Sequence, residues 1–195
     1  MIAPDRGVIH FAGRAYLATR LSALAHHGLF YRPDHDLLST AFTVRRQLDM
    51  FRRQFAGSDV EDAAERMGIL PHLDKRPFEL SGGELRRAEV AAVLVRRPTC
   101  MLADEPYRGL APRDAEHLTL ACRALAASGV AVMVTGHEVP TLLDAADHVS
   151  WCTSGTTYEL GAPDVASQHV AFRRDYLGTW VGAVRSHERC ANLAL

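Results

Sequence analysis

Short apolar segments alternate with amphipathic ones through the second half of the chain, and this alternation limits the folds available to it. Residues 100–103, 130–134 and 149–153 are strand-like, and helical patterns cover 113–127 and 140–146. The run 130–134 is apolar throughout, which predicts a strand that is covered on both faces. Strands that alternate with helices predict an α/β fold, in which a largely parallel sheet carries helices on its faces.

Two further strands are predicted in the first half of the chain, over residues 8–11 and 28–31. A helical stretch over residues 15–27 is predicted to lie between them, and the polar residues 34–40 are predicted to form a loop. These elements extend the alternation of strands and helices back towards the start of the chain.

A block of helical patterns separates these elements from the strands of the second half. Its first helix has apolar residues at helical spacing, with Thr43 as a plausible N-cap and Gly57 at its end. The next helix opens on a capping box formed by Ser58 and Glu61, and Gly68 is well placed as its C-terminal cap. The block therefore predicts a helical subdomain that is inserted in the α/β frame.

A third helix is predicted to begin at Ser81, because Glu84 stands three residues later, and to stop before Pro98. Capping accounts for Ser81 and Glu84, but it does not account for the adjacent glycines Gly82 and Gly83. Glycines at a helix N-terminus let backbone N–H groups approach a ligand, and such a site favours anions. This segment therefore suggests a phosphate contact in addition to a capped helix start.

Ionisable residues follow two of the predicted strands. Asp104 and Glu105 come directly after residues 100–103, at the sheet edge where ligands of such folds bind. Asp104 could hold Mg²⁺ directly or through water, and Glu105 could orient or deprotonate an attacking water. His137 follows residues 130–134, and it could reach the same site and contact a phosphate oxygen. Solvated charge and a structural histidine are the alternative explanations when each feature is taken alone.

Composition excludes several other classes of protein. The 195 residues include 22 basic and 23 acidic side chains, and the formal net charge of −1 gives no reason to expect a nucleic-acid partner. The four cysteines form no Cys-x-x-Cys pair, so neither a zinc site nor a disulfide framework is indicated. No secretory signal and no apolar run long enough to span a bilayer is found, which favours a cytoplasmic protein.

Taken together, in this order and spacing, these motifs resemble those of the ATP-binding cassette (ABC) family of ATPases. Residues 80–84 are similar to the family signature, with Glu84 at the last position, where glutamine is usual. Residues 101–105 resemble the Walker B strand followed by the catalytic glutamate, and His137 matches the switch histidine. The signature and Walker B segments are the most specific part of the resemblance.

Two more segments resemble the family but depart from its usual pattern. Asp34 stands at the Q-loop position, where glutamine is usual. Residues 107–112 are similar to the D-loop, with alanine where aspartate is commoner; the corresponding positions are Gly109, Leu110 and Ala111. Both segments are similar to the branched-chain amino-acid importer branch. The resemblance covers roughly residues 7–163 and assigns residues 43–79 to the helical subdomain.

The resemblance implies a P-loop NTPase-like parallel sheet and an ATP-binding subunit that couples ATP binding and hydrolysis to transport, with ATP and Mg²⁺ as cofactors. Glu105 and His137 would be catalytic, and Asp104 would bind Mg²⁺. Two such domains, in a homodimer or a heterodimer, would sandwich two ATP molecules head to tail. One chain's signature residues would then face the other chain's nucleotide: Ser81, Gly82, Gly83 and Glu84. Transmembrane subunits would be the partners and would hold the protein at the inner face of the cell membrane.

One required motif has no counterpart in the sequence. The phosphate-binding Walker A loop reads G-x-x-x-x-G-K-[ST], but none of the 14 glycines is followed by lysine. The one lysine, Lys75, has no glycine near it. Residues 4–13 resemble the segment that follows the Walker A helix, so we expect residues 1–195 to form one incomplete ABC domain without its N-terminal strand, loop and helix. Residues 179–195 show no clear period and stay unassigned.

Three explanations for the missing loop are compatible with the sequence: a start codon assigned too late, a truncated gene, or a degenerate subunit. A late start or a truncation is favoured, because the downstream motifs are intact and no substitute loop is found. Two alternative functions also remain. The chain could contribute only its signature loop to a partner's ATP site, or it could be a soluble ABC ATPase that takes no part in transport.

Overall fold

Strands and helices alternate along the computed structural model, which describes residues 6–17, 20–35 and 37–178. In chain order its elements are β1 (Ile9–Phe11), β2 (Arg14–Tyr16), α1 (Leu21–His26), β3 (Leu29–Arg32), α2 (Val44–Phe55), α3 (Val60–Arg66), 3₁₀ turns at Leu70–His72 and Pro77–Glu79, α4 (Gly82–Arg96), β4 (Cys100–Ala103), α5 (Pro112–Ala127), β5 (Ala131–Val134), α6 (Val139–Ala145), β6 (Val149–Thr153), β7 (Thr156–Gly161), α7 (Pro163–Ala166), α8 (Val170–Phe172) and a π-helical turn at Arg173–Leu177. This order confirms the predicted α/β class.

A three-stranded parallel sheet holds the centre of the fold. Its strand order is β3-β4-β5, and β4 pairs in parallel with both neighbours. The register aligns Arg32 with Ala103 and Ala103 with Val134, so the three strands end level with one another. The parallel sheet predicted from the sequence is confirmed. Two antiparallel hairpins, β1-β2 and β6-β7, accompany it in the described part of the chain.

The environment of β5 differs from the prediction. Val132 and Val134 pack against the main core, but Ala131 is exposed and Met133 is 60% exposed. β5 is the last strand in the order β3-β4-β5, and the described elements cover only one of its faces. Because successive side chains of a strand point to opposite faces, exposed and half-buried residues alternate along β5. The expectation of a strand covered on both faces is therefore wrong for the described residues.

The predicted helix over residues 15–27 is wrong in its first part. Residues 14–16 form β2, which pairs antiparallel with β1 across a two-residue turn, and only Leu21–His26 are helical. Both turn residues, Ala12 and Gly13, have positive φ, as a tight hairpin with the twist of its strands requires. Alanine at this position is not a turn signal, so the hairpin was not predicted from the sequence. Residues 18 and 19 lie outside the described part of the chain.

Capping explains where the next two helices begin. The Thr43 side chain accepts a hydrogen bond from the Arg46 backbone N–H, as predicted for the first of them. The second is capped by Asp59, which accepts from the Asp62 N–H, so the predicted Ser58–Glu61 box is wrong by one residue. The Ser58 N–H donates to the Val95 carbonyl of α4, so it is not available for the bond to Glu61 that the predicted box requires, and the equally suitable Asp59 is the cap.

Helix α4 is the element around which the main core is built. It packs against α2, α3 and α5, and four of its residues have no solvent exposure: Ala88, Ala91, Ala92 and Val95. The predicted start at Ser81 is confirmed, with both hydrogen bonds of the capping box present. The same core contains Leu48 of α2 and Met101 of β4, so helices and sheet share it. A subdomain with boundaries at residues 43 and 79 stays a prediction.

A smaller second core lies under the β6-β7 hairpin. It contains Trp151 and Leu160 from the strands, together with Ala166, Phe172 and Leu177 from the segments that follow. The predicted turn at residues 154 and 155 is confirmed, but β7, α7 and α8 were not predicted. The unassigned residues 179–195 lie outside the described part of the chain. Within that part, no helix is both long enough and apolar enough to cross a bilayer.

Two neighbouring substitutions between α2 and α3 should differ in their effect on stability. A Cβ at residue 57 would overlap the Val95 carbonyl, so Gly57→Ala should destabilise the fold by about 1–3 kcal/mol. Ala56 has φ +50°, so Ala56→Gly removes strain and should leave stability unchanged or up to about 1 kcal/mol higher. Urea unfolding of both variants measures the difference, and equal stabilities would contradict the packing at residue 57.

A missing cap predicts a stabilising substitution at the start of α5. Ala111 is its N-cap, and no side-chain hydrogen bond caps the helix there. Ala111→Asp should stabilise the fold by about 0.5–2 kcal/mol, because the carboxylate can accept from the free N–H groups of the first turn. Ala111→Leu, which cannot cap, is the matched control. Equal thermal midpoints for the two variants would show that the first turn does not need a cap.

Candidate functional site

The carboxyl edge of the parallel sheet brings together four residues singled out from the sequence. Asp34 lies two residues after β3, Asp104 and Glu105 directly follow β4, and His137 lies three residues after β5. The main-chain pairing continues past the strand ends, since the Asp104 N–H donates to the Arg32 carbonyl (2.9 Å). The positions of these four residues therefore follow from the register of the sheet.

The Asp104 carboxylate is held by one hydroxyl group from β3 and one from the residue that follows β5. Thr135 donates to its Oδ1 (2.7 Å) and Tyr31 donates to its Oδ2 (3.2 Å). Burial raises the pKa of Tyr31, and the nearby charge of Asp104 raises it further. The phenol therefore stays protonated and remains a donor to the carboxylate at neutral pH.

Glu105 has a constrained backbone at the centre of the site. Its φ is +42°, in the left-handed region that non-glycine residues rarely adopt, and its N–H donates to the Thr135 hydroxyl (3.2 Å). The carboxylate lies between two cationic or titratable groups, with Oε1 3.5 Å from His137 Nε2 and Oε2 3.5 Å from Arg108 Nη1. Such backbone strain is typical of functional residues.

Asp34 is joined to this group by an arginine. Arg108 Nη1 donates to Asp34 Oδ2 (2.7 Å), so one guanidinium group contacts both Asp34 and Glu105. His35 Nε2 also lies 2.7 Å from the same oxygen. The other oxygen, Oδ1, is buried and has no hydrogen-bond partner among the residues that the structure describes. A buried carboxylate oxygen without a partner is a vacant acceptor that a cation or water can use.

His137 is the most accessible member of the group, with 76% of its side chain exposed. Its Nδ1 hydrogen-bonds the Tyr176 hydroxyl (3.1 Å), and Tyr176 stacks on Phe172 of the second core. This leaves Nε2 directed towards Glu105. The contact joins the histidine to a segment 39 residues further along the chain.

The two signature glycines have different surroundings. A Cβ on Gly83 would overlap the Asp114 carboxylate, the movable end of a partly exposed side chain, so Asp114 would have to shift to make room for it. A Cβ on Gly82 would meet no atom of the described residues within 4 Å, and its φ is not in the left-handed region, so neither packing within that part of the chain nor backbone conformation requires glycine there. Glu84 Oε2 accepts from the Ser81 N–H (2.8 Å), and this bond lowers the pKa of Glu84.

Within one chain the signature is not bonded to the acidic group, the name used here for Asp34, Asp104, Glu105 and His137. Among the described residues, no hydrogen bond or ion pair connects residues 81–84 with Asp34, Asp104, Glu105 or His137. Glu84 instead lies 3.2 Å from His72. The structure therefore separates the four acidic-site residues from the four signature residues, and a role of the signature opposite a second chain stays a prediction.

The D-loop positions connect the acidic group to α5. Gly109 has φ +68°, and the Leu110 N–H donates to the Tyr107 carbonyl (3.2 Å), which forms a tight turn. Ala111 then caps α5 through its backbone. The turn also carries Arg108, which explains how this arginine reaches Asp34 across the sheet edge.

The donor set fits a magnesium ion that is held mainly through a ligand. Within the described ranges, no three His, Cys, Asp or Glu side chains converge on one point as a self-sufficient metal site would require. Magnesium is commonly bound through one or two carboxylates together with water and substrate phosphates. Asp104 and the vacant Oδ1 of Asp34 could supply such ligands.

Four residues of the site were not singled out from the sequence: Tyr31, Arg108, Thr135 and Tyr176. Tyr31 ends a predicted strand, Thr135 directly follows one, and Arg108 lies in the D-loop segment, so a hydroxyl or guanidinium group close to a strand end was the available signal. Tyr176 carried no signal, because its segment lies 39 residues from His137 and matched no motif.

Comparison with known proteins supports the same family from the sequence side. Residues 1–108 match the family described as ABC transporter. A probable ABC transporter ATP-binding protein of Azorhizobium caulinodans is 30% identical over 187 residues, which cover 91% of this chain and 66% of that protein. The lipopolysaccharide export system ATP-binding protein LptB of Acidithiobacillus ferridurans is 28% identical over 184 residues, which cover 91% of this chain and 76% of that protein.

A third relative shows the range of lengths covered. The energy-coupling factor transporter ATP-binding protein EcfA2 of Symbiobacterium thermophilum is 30% identical over 140 residues, covering 69% of this chain and 49% of that protein. The chain thus spans between about half and three quarters of the length of these relatives, from 49% to 76%.

Solved structures share the fold at low sequence identity. A nucleotide-free ATP-binding cassette from an ABC transporter gives a TM-score of 0.75 at 18% identity, covering 93% of this chain and 79% of that one. The ADP conformation of another such cassette gives a TM-score of 0.70 at 20% identity, covering 84% of this chain and 72% of that one. These likenesses confirm the P-loop NTPase-like fold. With the family match over more than half of its residues, the chain belongs to the ABC transporter family and has the fold of its ATP-binding domain.

Proposed function

We propose that this chain is an ATP-binding subunit of an ABC transporter and that its acidic group takes part in ATP hydrolysis. The observation that carries the proposal is the grouping of Asp104, Glu105 and His137 at one edge of a parallel sheet. Glu105 is held there in a strained conformation, 3.5 Å from the histidine. Parallel sheets of this class bind ligands at that edge.

In the proposed reaction a water molecule attacks the γ-phosphorus of ATP, and the bond to the leaving ADP oxygen breaks. Glu105 orients this water and accepts its proton, while His137 donates a hydrogen bond from Nε2 to a γ-phosphate oxygen. Asp104 would hold Mg²⁺, and Asp34 could add its free Oδ1 directly or through water. Bound Mg²⁺ supplies charge neutralisation at the phosphate oxygens.

Hydrolysis by this route also needs a loop that binds the phosphates. No glycine of the sequence is followed by lysine, so the loop would have to be supplied from outside these 195 residues. Arg108 balances the charges of Asp34 and Glu105, but its contacts with both carboxylates leave it a poor substitute for a lysine inside a phosphate loop.

A second candidate function has its own support. The chain could serve only as the signature donor to a partner's ATP site, in a homodimer or a heterodimer. Space is open around Gly82, and neither packing nor backbone conformation explains why the residue is glycine. This favours contact with a ligand from outside the chain. In this case the chain itself would hydrolyse nothing, and variants of Glu105 and Gly82 separate the two functions.

The partners and location we propose come from the names of the relatives. These are ATP-binding proteins of an energy-coupling factor transporter and of a lipopolysaccharide export system. We therefore propose that the chain docks on transmembrane subunits at the cytoplasmic face of a membrane. The net charge of −1 supplies no electrostatic footprint for nucleic acid.

Glu105→Gln tests the catalytic proposal. The amide keeps the size of the side chain but cannot accept the proton, so ATP turnover should fall by about 10²–10⁴-fold while ATP binding persists. Turnover and nucleotide binding are measured on the native complex that contains the chain. Glu116→Gln, on the exposed face of α5, is the control. Unchanged turnover in Glu105→Gln would refute the role of Glu105.

Gly82→Ala tests the signature. The added methyl group has open space in the chain, so stability should not decrease, but it would obstruct a ligand that approaches the N-terminus of α4. We expect at least about a tenfold loss of turnover with an unchanged thermal midpoint, since backbone donors to a reacting phosphate contribute on that scale. Loss in Gly82→Ala together with full activity in Glu105→Gln would favour the signature-donor function alone.

A further inference from the structure

A buried ion pair joins the signature helix to the sheet. Glu89, in the middle of α4, is 2% exposed, and Arg32, the last residue of β3, is 3% exposed. Both Nε and Nη2 of Arg32 donate to Glu89 Oε2, at 3.2 and 2.9 Å. Glu89 belongs to no motif identified in the sequence, and Arg32 lies two residues before Asp34, at the Q-loop position.

The pair continues to the acidic group through backbone carbonyls. The third nitrogen of the Arg32 guanidinium, Nη1, donates to the Asp104 carbonyl oxygen (3.1 Å). A second arginine on α4, Arg86, donates through Nη1 to Glu89 Oε2 (2.9 Å) and through Nη2 to the Asp34 carbonyl oxygen (3.2 Å). A single carboxylate on α4 is therefore linked, by one arginine each, to the main chain of two residues at the site.

The surroundings leave little room for solvent to replace these bonds. The cavity beside the pair has a volume of only about 10 Å³, and apolar side chains such as Val93, Met101 and Leu118 line it. Burial lowers the pKa of Arg32, and the charge of Glu89 partly offsets this effect. Buried ion pairs are often no more stabilising than apolar residues of similar volume. Stability alone is therefore a weak reason for this arrangement.

We propose that Glu89 is a positioning residue that fixes the main chain of Asp104 and Asp34 relative to the signature helix through Arg32 and Arg86. A displacement of α4 is then transmitted to both residues through charge-assisted hydrogen bonds, which are stronger and more directional than neutral ones. Its consequence for turnover rests on the proposed function, but the positioning itself is a property of the fold.

The two arginines allow a test in which each link is broken separately. Lysine keeps the positive charge next to Glu89 but lacks the planar fork that bonds two groups at once. Arg32→Lys should therefore release Asp104, and Arg86→Lys should release Asp34. Glu89→Gln should loosen both. Arg96→Lys is the matched control, because this buried arginine donates to the Ala25 carbonyl from the far end of the same helix.

Amide hydrogen exchange of the 195-residue chain, read by mass spectrometry, measures the two links. In Arg32→Lys, exchange should become at least about tenfold faster around residue 104 and stay unchanged around residue 34, and Arg86→Lys should give the reverse pattern. Glu89→Gln should accelerate exchange in both segments, and Arg96→Lys in neither. The proposal would be overturned if the segments around residues 34 and 104 each exchanged at the same rate in all four variants, or if exchange accelerated uniformly throughout the chain.

A second variant separates positioning from stability. Arg32→Leu combined with Glu89→Leu should unfold at a midpoint close to that of the unchanged chain, because apolar residues replace the whole pair. Arg86, with 17% of its side chain exposed, can reach water. The exchange around residues 34 and 104 should nevertheless remain at least about tenfold faster. A stable double variant with unchanged exchange would show that the pair serves packing only.

Turnover in the native complex distinguishes failure of this proposal from failure of the proposed function. Glu89→Gln should lower kcat at least about fivefold with little change in the KM for ATP, as expected for the loss of roughly one hydrogen bond that holds a catalytic group. Absence of ATP hydrolysis in the unchanged complex would contradict the proposed function, while the exchange pattern would still decide the positioning role. An unchanged kcat together with altered exchange would overturn the link between positioning and catalysis.

Discussion

The parallel pairing of β4 with both of its neighbours is the constraint on which the candidate site depends. Parallel strands end at the same edge, so the residues that follow each strand are brought to one place. Main-chain hydrogen bonds continue this pairing past the strand ends, from Asp104 to Arg32 and from Thr135 to Ala103. The acidic group is therefore positioned by the backbone before any side-chain contact is considered.

Helix α4 adds a second constraint, because it is buried on most of its surface and still carries a carboxylate. Charges in such surroundings must be paired and hydrogen-bonded. Arg32 and Arg86 meet this need for Glu89, and their remaining nitrogens reach the carbonyls of Asp104 and Asp34. The helix that presents the signature and the loops that present the carboxylates are thus connected by polar bonds inside an otherwise apolar core.

Local patterns predicted the elements whose signals lie within a few residues of one another. The capping box at Ser81 and the strand before Asp104 are confirmed for this reason. The errors occurred where a distant contact decided between near-equal local choices. Ser58 and Asp59 are both good N-caps, and in the fold Asp59 caps the helix while the Ser58 N–H donates to the distant Val95 carbonyl. The exposure of Met133 depends in the same way on which elements cover the sheet face, which no pattern within the strand encodes.

The sequence by itself determined the α/β class, the residues at the strand ends and the family to which their order points. These depend on short spacings along the chain. Only the tertiary structure decided which side chains surround those residues. Tyr31 and Thr135 on Asp104, Arg108 on Asp34 and Tyr176 on His137 are partners separated by 31 to 74 positions. Local propensity carries no information over such separations, so these contacts are set by the packing of the whole fold.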